Sequence, residues 1–225
     1  MGGVLVTINH AEAVRRFTAL GIAQAAQLLD PYAQSGPFGL LEEGRLTPEA
    51  FVAEAGRLAG RALSWEECAY GWLGYAQDVP PRNGAMLERL RAAGYRLVLL
   101  SNMNPFINAW LEGAPLLPPT EAGGAWRGQP TPFDPANGGR PLSSYFDACY
   151  RSYEIQLMKP DPRVFRLILE REGIRPEETL LVDDGPRNCA AAAALGLQTL
   201  QPVNGEDWTA ELSARLLATD APHGG

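Results

Sequence analysis

Between residues 11 and 80 the apolar positions recur every three or four residues, without the alternation that marks a strand. That spacing predicts helices. A first helix over about residues 11–20 buries Val14, Phe17 and Leu20 and closes at Gly21. A second has Thr47 as N-cap and Pro48 in its first turn, carries Phe51, Val52, Ala55 and Leu58, and stops at Gly60. Ser64-Trp-Glu-Glu67 has the form of a capping box. It opens a third helix with Trp65, Cys68, Ala69, Trp72, Leu73 and Ala76 on one face. Pro80-Pro81 ends this helical unit, in which no strand is expected.

Beyond residue 81 helical patterns alternate with short continuous apolar runs, the signature of a parallel sheet flanked by helices. Strands are expected at 96–100, 147–154, 179–182 and 197–200. Helices are expected over 82–93, from Asp161-Pro162 to Gly173, from Pro186 through the alanine run to Leu195, and over 208–217. Residues 112–143 hold 13 Gly or Pro among 32 positions, too many for regular structure. Such a loop suits either a lid or a plain insertion. The predicted fold is α/β. It has a Rossmann-like parallel core (1–10 and 81–218), an inserted α-helical cap (11–80) and a frayed tail (219–225).

A net charge of −7 argues against nucleic acid or an anionic membrane surface as partner. Three separated cysteines with no C-x-x-C, no signal peptide and no spanning run predict a reduced, cytoplasmic protein. Oligomeric state is not encoded legibly. An acidic chain that handles a phosphorylated ligand must offset charge locally, with a metal or a placed lysine.

The strand ends offer both. In open parallel sheets the ligand crevice lies outside the carboxyl ends of the strands. There stand Ser101-Asn102, then Lys159, then the adjacent carboxylates Asp183 and Asp184. Taken singly these read as a turn, a solvated lysine and a helix cap. Taken together they supply a hydroxyl and an ammonium for phosphoryl oxygens, and two carboxylates for Mg2+. His10 and His223 stand at the two ends of the chain and suit neither a triad nor a metal site.

Leu97-Val-Leu-Leu-Ser-Asn102, Met158-Lys-Pro-Asp-Pro162 and Leu181-Val-Asp-Asp-Gly-Pro-Arg-Asn188 resemble, in order and spacing, the second, third and fourth motifs of the haloacid dehalogenase-like hydrolases. Gly2-Gly-Val-Leu5 is similar to the end of a first motif, Asp-Leu-Gly-Gly-Val-Leu, found in a subgroup with glucose-1-phosphate phosphatase-type enzymes. The resemblance implies a Mg2+-dependent phosphatase of a small phosphorylated metabolite, a sugar phosphate among the candidates. Ser101 would bind the transferring phosphoryl group with support from Asn102, and Lys159 would stabilise charge. Asp184, Asp183 and the Gly2 carbonyl would hold the metal.

The family's nucleophilic aspartate, which would form an aspartyl-phosphate, falls one residue ahead of Met1, and the central strand carrying it is truncated with it. Met1 therefore reads as a mis-assigned start, with about 5–10 further residues expected upstream. Residues 1–225 alone are expected to be inactive. Gly2 replaces the second aspartate that many relatives use as acid/base. Two alternatives follow: a catalytically dead binding or regulatory protein, or a metal-independent 2-haloacid dehalogenase, against which the Asp183-Asp184 pair argues. Phe38, Trp65 and Trp72 could touch the leaving group, although cap core is the stronger reading for the tryptophans.

Overall fold

The computed structural model describes residues 1–30, 34–113, 133 and 139–217. Most of the 112–143 loop and the 219–225 tail lie outside these residues. Five helices fill the segment expected as the cap: α1 (His10–Ala19), α2 (Ala25–Leu28), α3 (Gly36–Glu42), α4 (Pro48–Ala59) and α5 (Trp65–Trp72). Their ends follow local chemistry. The Thr47 hydroxyl accepts from the Ala50 amide at 3.2 Å, and Gly60 ends α4 with φ 68°, a conformation that favours glycine. The Ser64 hydroxyl accepts from the Glu67 amide at 3.2 Å, while the Glu67 carboxylate accepts from the Ser64 amide at 2.8 Å.

Phe17, Phe38, Phe51 and Trp72 meet at the cap's centre, with ring centroids 4.8 Å apart for Phe17–Phe38 and 5.0 Å for Phe38–Phe51. Such pairs each add about 0.5–1.5 kcal/mol beyond area burial. Two short strands, β1 (Thr7–Ile8) and β2 (Ala76–Asp78), pair antiparallel where the cap joins the core. Residues 76–78 thus form a strand that the helical reading of 11–80 did not anticipate. Three residues carry too little periodicity to announce it, and the pairing partner lies about seventy positions away.

In the core, β3 (Val98–Ser101) pairs parallel with β4 (Ala148–Arg151), and β5 (Leu180–Val182) pairs parallel with β6 (Gln198–Leu200). Helices α6 (Pro81–Ala92), α7 (Pro105–Leu111), α8 (Ser152–Ile155), α9 (Pro162–Glu172), α10 (Pro186–Ala193) and α11 (Thr209–Leu216) complete the expected α/β architecture. The two strand pairs do not join into one sheet. A cavity of about 470 Å³ separates them, lined by Leu99 and Leu100 of β3, Leu180 and Leu181 of β5, and Phe165 and Trp208 from flanking helices.

The amino-terminal turn stands against this cavity. The Met1 carbonyl accepts from Leu5 N at 2.7 Å, and the Asn83 side chain donates to the carbonyls of Val4 and Leu5, both at 3.0 Å. Trp208 Nε1 donates to Val4 O at 2.8 Å.

Candidate active site

The residues predicted for the site converge. β3 ends at Ser101, β5 runs into Asp183 and Asp184, and Lys159 sits just ahead of α9. Gly2, Ser101, Asn102, Lys159, Asp183 and Asp184 all line one cavity of about 120 Å³. Lys159 Nζ lies 2.5 Å from Asp183 Oδ2 and 3.1 Å from Leu100 O, with both charged side chains almost wholly shielded from water. Asn102 holds the lysine backbone from both sides. Its Nδ2 donates to Lys159 O at 2.8 Å and its Oδ1 accepts from Lys159 N at 2.9 Å. Asn102 therefore acts here as a clamp on the lysine segment.

The two carboxylates differ. Asp183 accepts three hydrogen bonds, since its Oδ1 also accepts from Gly185 N at 2.9 Å and Asn188 Nδ2 at 2.8 Å. Burial works against its ionisation, but the Lys159 ammonium, with smaller help from the amino terminus of Met1 and the Asn188 amide, holds the carboxyl below the usual range. Asp184 is half-buried and, among the described residues, no other side chain donates to it. Burial holds its carboxyl above the usual range, with the Asp183 charge adding, while the amino terminus of Met1 and its own backbone N–H pull the other way. Gly185 is the N-cap of α10 and makes no side-chain cap bond, so Asp184 is not serving as a helix cap.

Gly3 explains how the main chain comes so close. Its φ is 75°, and a Cβ there would run into the Asp184 carboxylate. The doubled glycine carried a signal that Gly3, besides Gly2, belongs to the site. Asn188 was also legible, being five residues after Asp183 and so within the first turn of α10.

From the cap side the cavity is lined by Gln34, Glu42, Trp72 and Tyr75, and by Asn104 and Trp110 around α7. Trp72 thus reaches the site while being 1% exposed. Phe38 is fully buried among cap aromatics, and Trp65 packs on Phe106 with ring centroids 4.8 Å apart. His10 lies away from the site, its Nε2 2.9 Å from Leu29 O. Glu42 escaped the sequence reading, since nothing local distinguishes it from the half-buried Glu43 beside it.

The family model of haloacid dehalogenase-like hydrolases matches residues 1–196. The chain is 37% identical to D-ribitol-5-phosphate phosphatase from Bacteroides thetaiotaomicron, over 96% of this chain and 95% of that one. A structure of a HAD-like hydrolase from Porphyromonas gingivalis superposes with TM-score 0.81 at 36% identity, covering 97% of this chain and 95% of that one. A HAD-family enzyme from Bacteroides thetaiotaomicron, crystallised with magnesium and inorganic phosphate, gives TM-score 0.76 at 27% identity, covering 94% and 95%.

Proposed function

The chain belongs to the haloacid dehalogenase-like hydrolases, and on that premise we propose that its site is that of a magnesium-dependent phosphatase for a small phosphorylated sugar alcohol or sugar. The observation that carries this reading is the unequal carboxylate pair. Asp183 accepts from Lys159, Gly185 and Asn188, whereas Asp184 lines the same cavity half-buried, with no side-chain donor among the described residues. Two adjacent carboxylates at one cavity repel each other unless a cation sits between them.

The donor set suits Mg2+. It is all oxygen and it is small, and the glycine at position 3 lets the main chain that carries the Gly2 carbonyl pack directly against the Asp184 carboxylate. Asp184, Asp183 and the Gly2 carbonyl would hold the ion, which would draw charge from phosphoryl oxygens. Lys159, fixed by Asn102, places an ammonium where charge develops, and Ser101 offers a hydroxyl to a phosphoryl oxygen. In this reading the chain's own residues bind and orient the phosphoryl group, and hydrolysis of the ester releases phosphate and the sugar alcohol.

The D-ribitol-5-phosphate phosphatase relative supports a phosphorylated polyol as substrate. A metal-independent dehalogenase would leave Asp184 without a purpose. The test is calorimetric titration of residues 1–225 with inorganic phosphate in Mg2+ and in excess chelator. Binding that needs Mg2+ and is lost in Asp184→Asn is expected. Phosphate binding indifferent to both would overturn the reading.

A further inference from the structure

Glu42 closes α3 inside the cap and is 7% exposed, yet no cation pairs with it among the described residues. Among the described residues, the Asn104 side chain is the polar group that eases its charge. That amide is itself oriented by its other end, where Asn104 Oδ1 accepts from Phe106 N and Ile107 N, both at 3.1 Å. The amide nitrogen is thereby left free of the helix cap. A carboxylate in this position destabilises the cap more than an uncharged side chain of similar size would. Its position supplies a reason. Glu42 and Asn104 line the same cavity as Lys159, Asp183 and Asp184, but from the cap.

The cavity therefore has two chemically opposite ends. One offers an ammonium and a metal site, which suit a phosphate. The other offers a carboxyl oxygen and a fixed amide, which suit hydroxyl groups. Between them Trp72 provides an apolar wall for carbon chain. At about 120 Å³, the space is below the roughly 300 Å³ at which drug-sized pockets begin, so the ligand must be a short metabolite.

We propose that Glu42, held by Asn104, is the specificity-determining residue that accepts hydrogen bonds from the hydroxyls of a small polyhydroxylated phosphate ester and rejects esters with a second anionic group. The inference rests on the phosphatase reading and extends it to the leaving-group side. Burial, with Asn104 pulling the other way, pushes the Glu42 carboxyl up to about 7. Either protonation state still accepts from a hydroxyl.

The test is binding, which needs no turnover. Residues 1–225 in Mg2+ are titrated with inorganic phosphate, D-ribitol 5-phosphate and phosphoglycolate, alongside Glu42→Ala and Glu42→Gln. Wild type should prefer the ribitol ester to phosphate by about tenfold or more, a difference of one good hydrogen-bonded contact. Glu42→Ala should erase that preference while leaving phosphate affinity within about twofold. Glu42→Gln should keep part of it and admit phosphoglycolate several-fold better. Equal loss of phosphate and ribitol ester, or no change in either, would overturn the role of Glu42. Failure of wild type to bind phosphate at all would instead overturn the phosphatase reading beneath it. Thermal melts of both variants keep misfolding separate from either result.

Discussion

In the cap, Phe17, Phe38, Phe51 and Trp72 are all at most 1% exposed and touch one another ring to ring. Between β3 and β5 the same chain leaves about 470 Å³ lined by leucine side chains. The contrast separates two ways in which a fold is held. The cap closes on contacts made by neighbouring helices within about sixty residues. The core sheet is in two pieces, and each inner edge presents backbone donors and acceptors that another strand would pair. Met1 lines both the cavity between the sheet pieces and the candidate active site. What fills the first therefore also shapes the second.

The largest stability effect expected is in the cap. Phe38→Ala, at the centre of four aromatic rings, should destabilise by about 3–5 kcal/mol, measured by denaturant unfolding. Leu99→Ala, facing the open side of β3, should lose about half as much, because part of its surroundings is already void. Equal losses would mean that the cavity is closed in solution and would break the comparison.

Glu42 gives the next effect. Its folded-state value, about 7, lies above its ordinary 4.5, so its neutral form is the one the fold favours. The associated stability is complete below pH 4.5 and is lost as pH rises through about 7. The full shift corresponds to about 3 kcal/mol. Tyr75 is the nearby titratable group that feels this charge, and it stays neutral throughout that window. Glu42→Gln should thus be more stable than wild type at pH 8, with the gap closing below pH 5. Chemical denaturation across that range checks the sign. A gap independent of pH would place the Glu42 charge in water.

A smaller effect is expected at Asn102, whose side chain clamps the Lys159 backbone through two hydrogen bonds. Asn102→Ala should cost about 1–3 kcal/mol and weaken phosphate binding through misplacement of the lysine. Loss of stability without loss of phosphate binding would show that the clamp matters to the fold alone.

Much of the site could be read from the sequence because the chemistry sits where strands end. Ser101, Lys159 and the Asp183-Asp184 pair each follow an apolar run or precede a Pro-started helix, so their spacing alone brings them to one edge. The helix caps at Thr47 and Ser64 were equally legible, being set by side chains within three residues. Asn104-Pro105 carried the same signal for α7, an N-cap followed by proline, and is as local as the others. The short α2, α8 and β2 carried none, since three or four residues are fixed by their neighbours in space. The unequal roles of Asp183 and Asp184 depend on which one meets Lys159, and the burial of Glu42 depends on how the cap seats on α7. Those are tertiary outcomes, which no local pattern encodes.

The most direct test of the central claim is phosphate release from D-ribitol 5-phosphate. The protein would be compared with its Asp184→Asn variant, each in Mg2+ and in excess chelator. The account predicts release by the protein in Mg2+, none in excess chelator, and none from Asp184→Asn under either condition. Release that survives the chelator or the substitution, or a folded protein that binds phosphate and never releases it from the ester, would contradict it.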